Sequence, residues 1–94
     1  MIESFRSKPL KRYWTRGDDS GIRPDWRKKV RIIMSRLDVA HEAAEMDVPG
    51  LGFHSLKGEQ AGRHAVWVSR NWCITFSWDG ENATEVDLED YHGG

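Results

Sequence analysis

The chain has little with which to staple itself, cross a membrane or hold a cofactor. Its 94 residues contain one cysteine, Cys73, which excludes an internal disulfide, and no apolar run approaches the ~20 residues of a membrane-spanning helix. No charged-then-apolar leader follows Met1, so a reducing cytoplasm is the expected compartment and no membrane partner is expected. No glycine-rich loop has nucleotide-binding spacing, and no Ser/His/Asp set stands out. The stretch "HEAAEM" begins like a zinc-protease helix but carries Glu45 where the second histidine belongs. His41 and Glu45 therefore read as a solvated helix face, and no metal or cofactor is expected. Repeats and low-complexity segments are missing too, and the length suits one domain over residues 1–94 with a single modest core.

What the chain does have is tryptophan and a lopsided distribution of charge. Five Trp within a hydrophobic share of 38% supply bulky side chains for a core, which favours folding over disorder. The net charge of −1 conceals a division: residues 1–37 hold eleven Lys and Arg against four Asp and Glu, while residues 38–94 hold three against eleven. The first part is thus +7 and the second −8. Such a basic block points to nucleic-acid contact or an acidic partner, unless the two halves neutralise each other within the fold.

Hydrophobic spacing divides the chain into helices followed by strands. "MIESF" alternates weakly and reads as a short strand. In "SKPLKRYWTRG", Ser7 can cap, Pro9 sits in the first turn and Gly17 can end the helix. Pro24 opens a stronger helix in which Trp26, Val30, Ile33 and Leu37 recur at helical spacing, and a further turn or two is expected in "HEAAEMD". From residue 53 the pattern changes to period two in "FHSLK", "RHAVWVS", "WCITFSW" and "ATEVDLED", with "RN" and "DGEN" as hairpin connections. An α+β domain follows, with helices covering one face of a mainly antiparallel sheet.

Alternation also predicts the faces of that sheet. Trp72, Ile74, Phe76 and Trp78 point to the core, with Thr84, Val86 and Leu88 expected on the same kind of face; Cys73, Thr75, Ser77, Glu85, Asp87 and Glu89 form a polar, concave side. His54 and Lys57, at the start of the sheet, supply an imidazole and a cation. Alone, that pair is an ordinary surface feature. Asp90, Tyr91 and His92 add a carboxylate, a phenol and a second imidazole. If the last strand returns beside His54, these groups suffice for RNA cleavage without a metal: a base takes the 2′-hydroxyl proton, a cation steadies the phosphorane and an acid protonates the leaving 5′-oxygen.

Taken in order, "MIESFRSKPLKRYW", "RLDVAHEAAEMDVPG", "HSLKG", "NWCITF" and "DLEDYH" make the chain similar, over nearly its whole length, to the HigB branch of the RelE/ParE toxin superfamily. The resemblance implies the RelE-like microbial ribonuclease fold and a ribosome-dependent mRNA endonuclease cutting A-site codons. It also implies a helix-turn-helix, HigA-like antitoxin that holds the toxin inactive, the complex binding operator DNA through the antitoxin. Carried over by residue, the site comprises His54 or His92 for proton transfer, Lys57 for phosphate charge, Asp90 to orient a histidine and Tyr91 to stack on a base or position phosphate. Asn71 is a candidate adenine reader. Lys8, Lys11, Arg12, Arg27, Lys28 and Lys29 are candidates for contact with ribosomal RNA. One residue departs from the pattern: the family's N-W-R-I-T-F is "NWCITF" here, so Cys73 stands where a phosphate-neutralising Arg is expected. The competing reading is a binding protein without catalysis, either a disarmed toxin or a ParE-like gyrase poison; the terminal Asp-Tyr-His argues against the latter.

Overall fold

The computed structural model describes residues 1–90. Helix α1 spans Lys8–Arg16, where buried Ser7 accepts the Leu10 N–H through Oγ at 3.2 Å and Gly17 closes the helix in the left-handed region at φ 71°. Pro24 opens only a 3₁₀ turn, Pro24–Trp26, and helix α2 follows over Arg27–Val39. Its Val30, Ile33, Met34 and Leu37 are fully buried, each stabilising the fold by about 1.5–3 kcal/mol relative to exposure. "HEAAEMD" contains a second 3₁₀ turn, Ala43–Met46, in place of an α-helix. Glu45 serves there as a cap, its carboxylate accepting the His41 and Glu42 N–H groups at 2.8 and 3.1 Å.

The sheet has four antiparallel strands in chain order: β1 His54–Ser55, β2 His64–Trp67, β3 Trp72–Trp78 and β4 Ala83–Asp90. Strands β3 and β4 coincide with the alternating segments of the sequence, whereas "FHSLK" shrinks to two residues. The helices cover one face, where Leu10, Trp26, Ile33 and Leu37 meet Val66, Ile74, Phe76 and Val86. Among the described residues no helix is long and apolar enough to cross a membrane.

"MIESF" forms isolated parallel bridges instead of a strand, with Ile2 beside Ala83 and Phe5 beside Val86. It thereby covers the outer edge of β4 and removes an open row of backbone donors and acceptors. That contact surrounds a bulge. Thr75 pairs with Asp87 but Ser77 pairs with Thr84, so β4 holds one residue more than β3 between those pairs. Glu85 takes up the excess at φ +49°. The bulge corrects the expected alternation: buried Ala83, not Thr84, shares the core face with Val86 and Leu88, and Thr84 lies opposite Ser77. Every backbone polar group of the bulge has a partner. Glu85 N–H donates to Ser4 Oγ (2.9 Å), Arg63 donates to Glu85 O (3.0 Å), Val86 N–H donates to Ser4 O (3.0 Å) and Arg6 N–H donates to Val86 O (2.9 Å).

A left-handed residue with a side chain costs about 1–2 kcal/mol, most of all when it is β-branched. Glu85→Gly is therefore expected to equal or exceed the parent in stability, and Glu85→Val to lose about 1–2 kcal/mol. Urea unfolding of both variants checks this; equal losses would contradict a conformational requirement at the bulge.

Candidate active site

His54 owes its orientation to a glycine. Gly52 adopts φ +59°, and a Cβ there would collide with the Trp67 ring, so only glycine lets the chain turn beneath that indole. His54 then stacks on Trp67 with ring centroids 5.5 Å apart, and its Nδ1 lies 2.8 Å from Gly52 O. A carbonyl oxygen only accepts, so Nδ1 carries the proton and the lone pair of the neutral ring resides on Nε2.

The strand order does not return β4 to the side of β1. Two strands intervene, and three spacings of ~4.8 Å separate the edges. The register spreads the groups across the sheet instead: His54 pairs with Ala65 and shares its face with Thr75, Asp87 and Glu89, whereas Asp90, opposite Trp72, falls on the alternate face with Leu88. The β1–β2 connection closes part of the remaining distance. Exposed Lys57 precedes the 3₁₀ turn Gly58–Gln60, and Gln60 Nε2 donates to Glu89 Oε1 at 3.4 Å, joining the loop that bears Lys57 to the strand end that bears Asp90. Tyr91 and His92 lie outside the described residues. Asn71 is exposed in the β2–β3 turn, next to Trp72.

The face expected to be polar and concave is filled. Leu56, Ala65, Cys73 and Trp67 make a second, small apolar cluster. Beside it Arg63, only 5% exposed, donates from Nη1 to Ser77 Oγ (3.0 Å) and from Nη2 to Thr75 Oγ1 (2.9 Å) and Glu85 O (3.0 Å). Thr75 in turn donates its hydroxyl hydrogen bond to Glu89 Oε2. Burial lowers the Arg63 pKa from its ordinary value, while Glu89, Glu85 and Asp87 oppose that shift. Gln60 and Glu89 escaped the sequence reading as site neighbours. Alternation placed Glu89 on this face; nothing local announces that the loop beyond Lys57 folds across it.

Cys73 is fully buried, so as placed it does not touch a substrate. Burial first, and the nearby Glu89 charge second, push its thiol up to about 12. His64 also has a structural setting: its ring lies between Phe53 and Phe76 at 5.5 and 5.6 Å, near Ser55 Oγ at 3.2 Å, and burial lowers its pKa.

The basic block divides in two. Lys8, Lys11, Arg12, Thr15 and Arg16 line a groove of about 250 Å³ on α1. Arg16 was missed earlier, although its spacing of eight from Lys8 keeps it on the same helical stripe. On α2, Lys28 is exposed, but Arg27 donates to Ile22 O (3.0 Å) and pairs with Asp19 (3.7 Å), and Lys29 donates to Gly50 O (2.8 Å). Part of the block is thus committed to holding loops.

Two helices on one face of a short antiparallel meander make a small α+β domain of the kind expected for toxins of RelE type. Residues 3–92 match the family model described as the RelE-like toxin of type II toxin–antitoxin system HigB. The chain is also 33% identical over 92 residues to Endoribonuclease HigB of Proteus vulgaris, an alignment that covers 98% of this chain and 100% of the relative. The chain belongs to the HigB-like toxins, and a type II toxin has an antitoxin partner.

A buried, protonated thiol is a poor nucleophile. Ellman's reagent is expected to label Cys73 at least about 100-fold more slowly in the native protein at pH 8 than in urea, and rapid native labelling would show that the small cluster is open.

Proposed function

We propose that this toxin is a ribosome-dependent endoribonuclease that cuts mRNA codons in the A site through the RNA's own 2′-hydroxyl. Endoribonuclease activity rests on the family and on the full-length relative. The observation that carries the chemistry is the His54 ring, whose Nδ1–H is held by Gly52 O and whose basic lone pair is on Nε2. His54 takes the proton from the 2′-oxygen, which attacks the adjacent phosphorus. The P–O5′ bond breaks, and His92 returns a proton to the 5′-oxygen, leaving a 2′,3′-cyclic phosphate and a 5′-hydroxyl. Lys57, exposed and without an ion pair among the described residues, supplies positive charge to the phosphate. Asp90 orients a histidine, Tyr91 stacks on a base or positions phosphate, and Asn71 reads an adenine edge. The antitoxin is a HigA-like helix-turn-helix protein through which the complex binds operator DNA.

Cys73 weakens this enzyme. An Arg at that position would face Glu89 across the strands and add a cation beside the reacting phosphate; losing one such donor costs roughly 10²–10³ in rate. Primer extension on a defined mRNA, with and without ribosomes, tests the reading. Cuts are expected only with ribosomes, stronger in Cys73→Arg and abolished in His92→Ala, and the preference for adenine is expected to fade in Asn71→Ala. Silence from both this chain and Cys73→Arg would shift the reading to a binding protein that occupies an antitoxin without cutting RNA.

The α1 groove and Lys28 are the proposed contacts with ribosomal RNA, whose phosphates dominate such binding and make it salt-sensitive. Reversing Lys8, Lys11 and Arg12 to Glu is expected to abolish co-sedimentation with ribosomes at moderate salt. Intact co-sedimentation would assign this face to the antitoxin or to the fold.

A further inference from the structure

We propose that Arg63 is a positioning residue for RNA cleavage, acting from inside the fold on both edges of the site. The proposal rests on the ribonuclease reading and adds a residue that the reading does not contain. Its guanidinium is buried, an expensive location for a charge, and its Nε is buried without a partner among the described residues. A cation kept there at such cost has a task beyond filling space. Its bonds lead outward in two directions. One runs to Glu85 O and secures the bulge that decides which face Asp90 shares. The other runs through Thr75 Oγ1 to Glu89 Oε2, the residue before Asp90, while the second Glu89 oxygen receives Gln60 from the loop that follows Lys57. Arg63, Thr75, Glu89 and Gln60 therefore fix the Lys57 loop and the end of β4 relative to each other. These two elements start at opposite edges of the sheet and share no strand pairing.

Removing the central link while preserving volume exposes this role. Thr75 is 1% exposed, and Thr75→Val keeps its shape but breaks the chain from Arg63 to Glu89. In single-turnover cleavage of ribosome-bound mRNA, carried out in Cys73→Arg if this chain is below detection, Thr75→Val is expected to lower the cleavage rate constant about 10–100-fold with substrate half-saturation within about twofold. Thr75→Ser, which retains the hydroxyl, is expected to restore most of the rate. Arg63→Met, assayed at a temperature where circular dichroism shows it folded, is expected to match Thr75→Val. A network that only stabilises the fold would lower the melting temperature and leave the rate constant of folded protein unchanged; parental cleavage by Thr75→Val would overturn the proposal even if Arg63→Met did not fold. Failure of both the parent and Cys73→Arg to cleave would remove the ribonuclease reading itself and the positioning role with it.

Discussion

One extra residue in the last strand determines how the acidic end of this protein is presented. Side chains in a strand alternate with period two, so a single inserted residue reverses the face of everything beyond it. Without the bulge at Glu85, the pairing that sets Thr84 opposite Ser77 would carry on with Glu85 opposite Phe76 in the core. With it, Val86 and Leu88 return to the helices, and Asp87 and Glu89 reach the other face. Two elements far apart in sequence hold the bulge in place. The N-terminal stretch brings Ser4 and Arg6 from outside the sheet, and Arg63 comes from within. The opening residues, which look like an edge decoration, are thus part of what orients the end of β4.

This arrangement explains what could and could not be read beforehand. Ser7, Pro9 and Gly17 marked α1 by local stereochemistry, and Val30, Ile33 and Leu37 marked α2 by spacing, because each signal is satisfied within its own segment. The bounds of β3 and β4 were legible for the same reason. The bulge was not, since Glu85 adopts its left-handed conformation without the glycine that would advertise it. Nor was the filled second face. "CTS" alternation along Cys73, Thr75 and Ser77 says that these residues share a side, but only the folded loop reveals that Leu56, Trp67 and Arg63 cover them. The candidate proton-transfer groups were visible by type; the Gln60–Glu89 contact that ties the loop after Lys57 to the end of β4 was not.

Electrostatics along β4 constrain how RNA can approach. Glu85, Asp87, Glu89 and Asp90 crowd one strand; exposed Arg6 pairs with Glu85 at 3.4 Å, while the buried Arg63 beside them is tied by hydrogen bonds. Glu89 also helps hold the Cys73 proton in place, which means that position 73 sits in a field favouring positive charge. A neutral thiol there leaves that field unanswered. On the proposed reading, the phosphate is met by cations outside this strand. Lys57 can act locally, and the α1 groove gathers charge in a separate element. If the site is the one proposed, its carboxylates repel RNA, and a larger assembly that delivered the scissile bond in register would replace by positioning the attraction that the isolated site lacks.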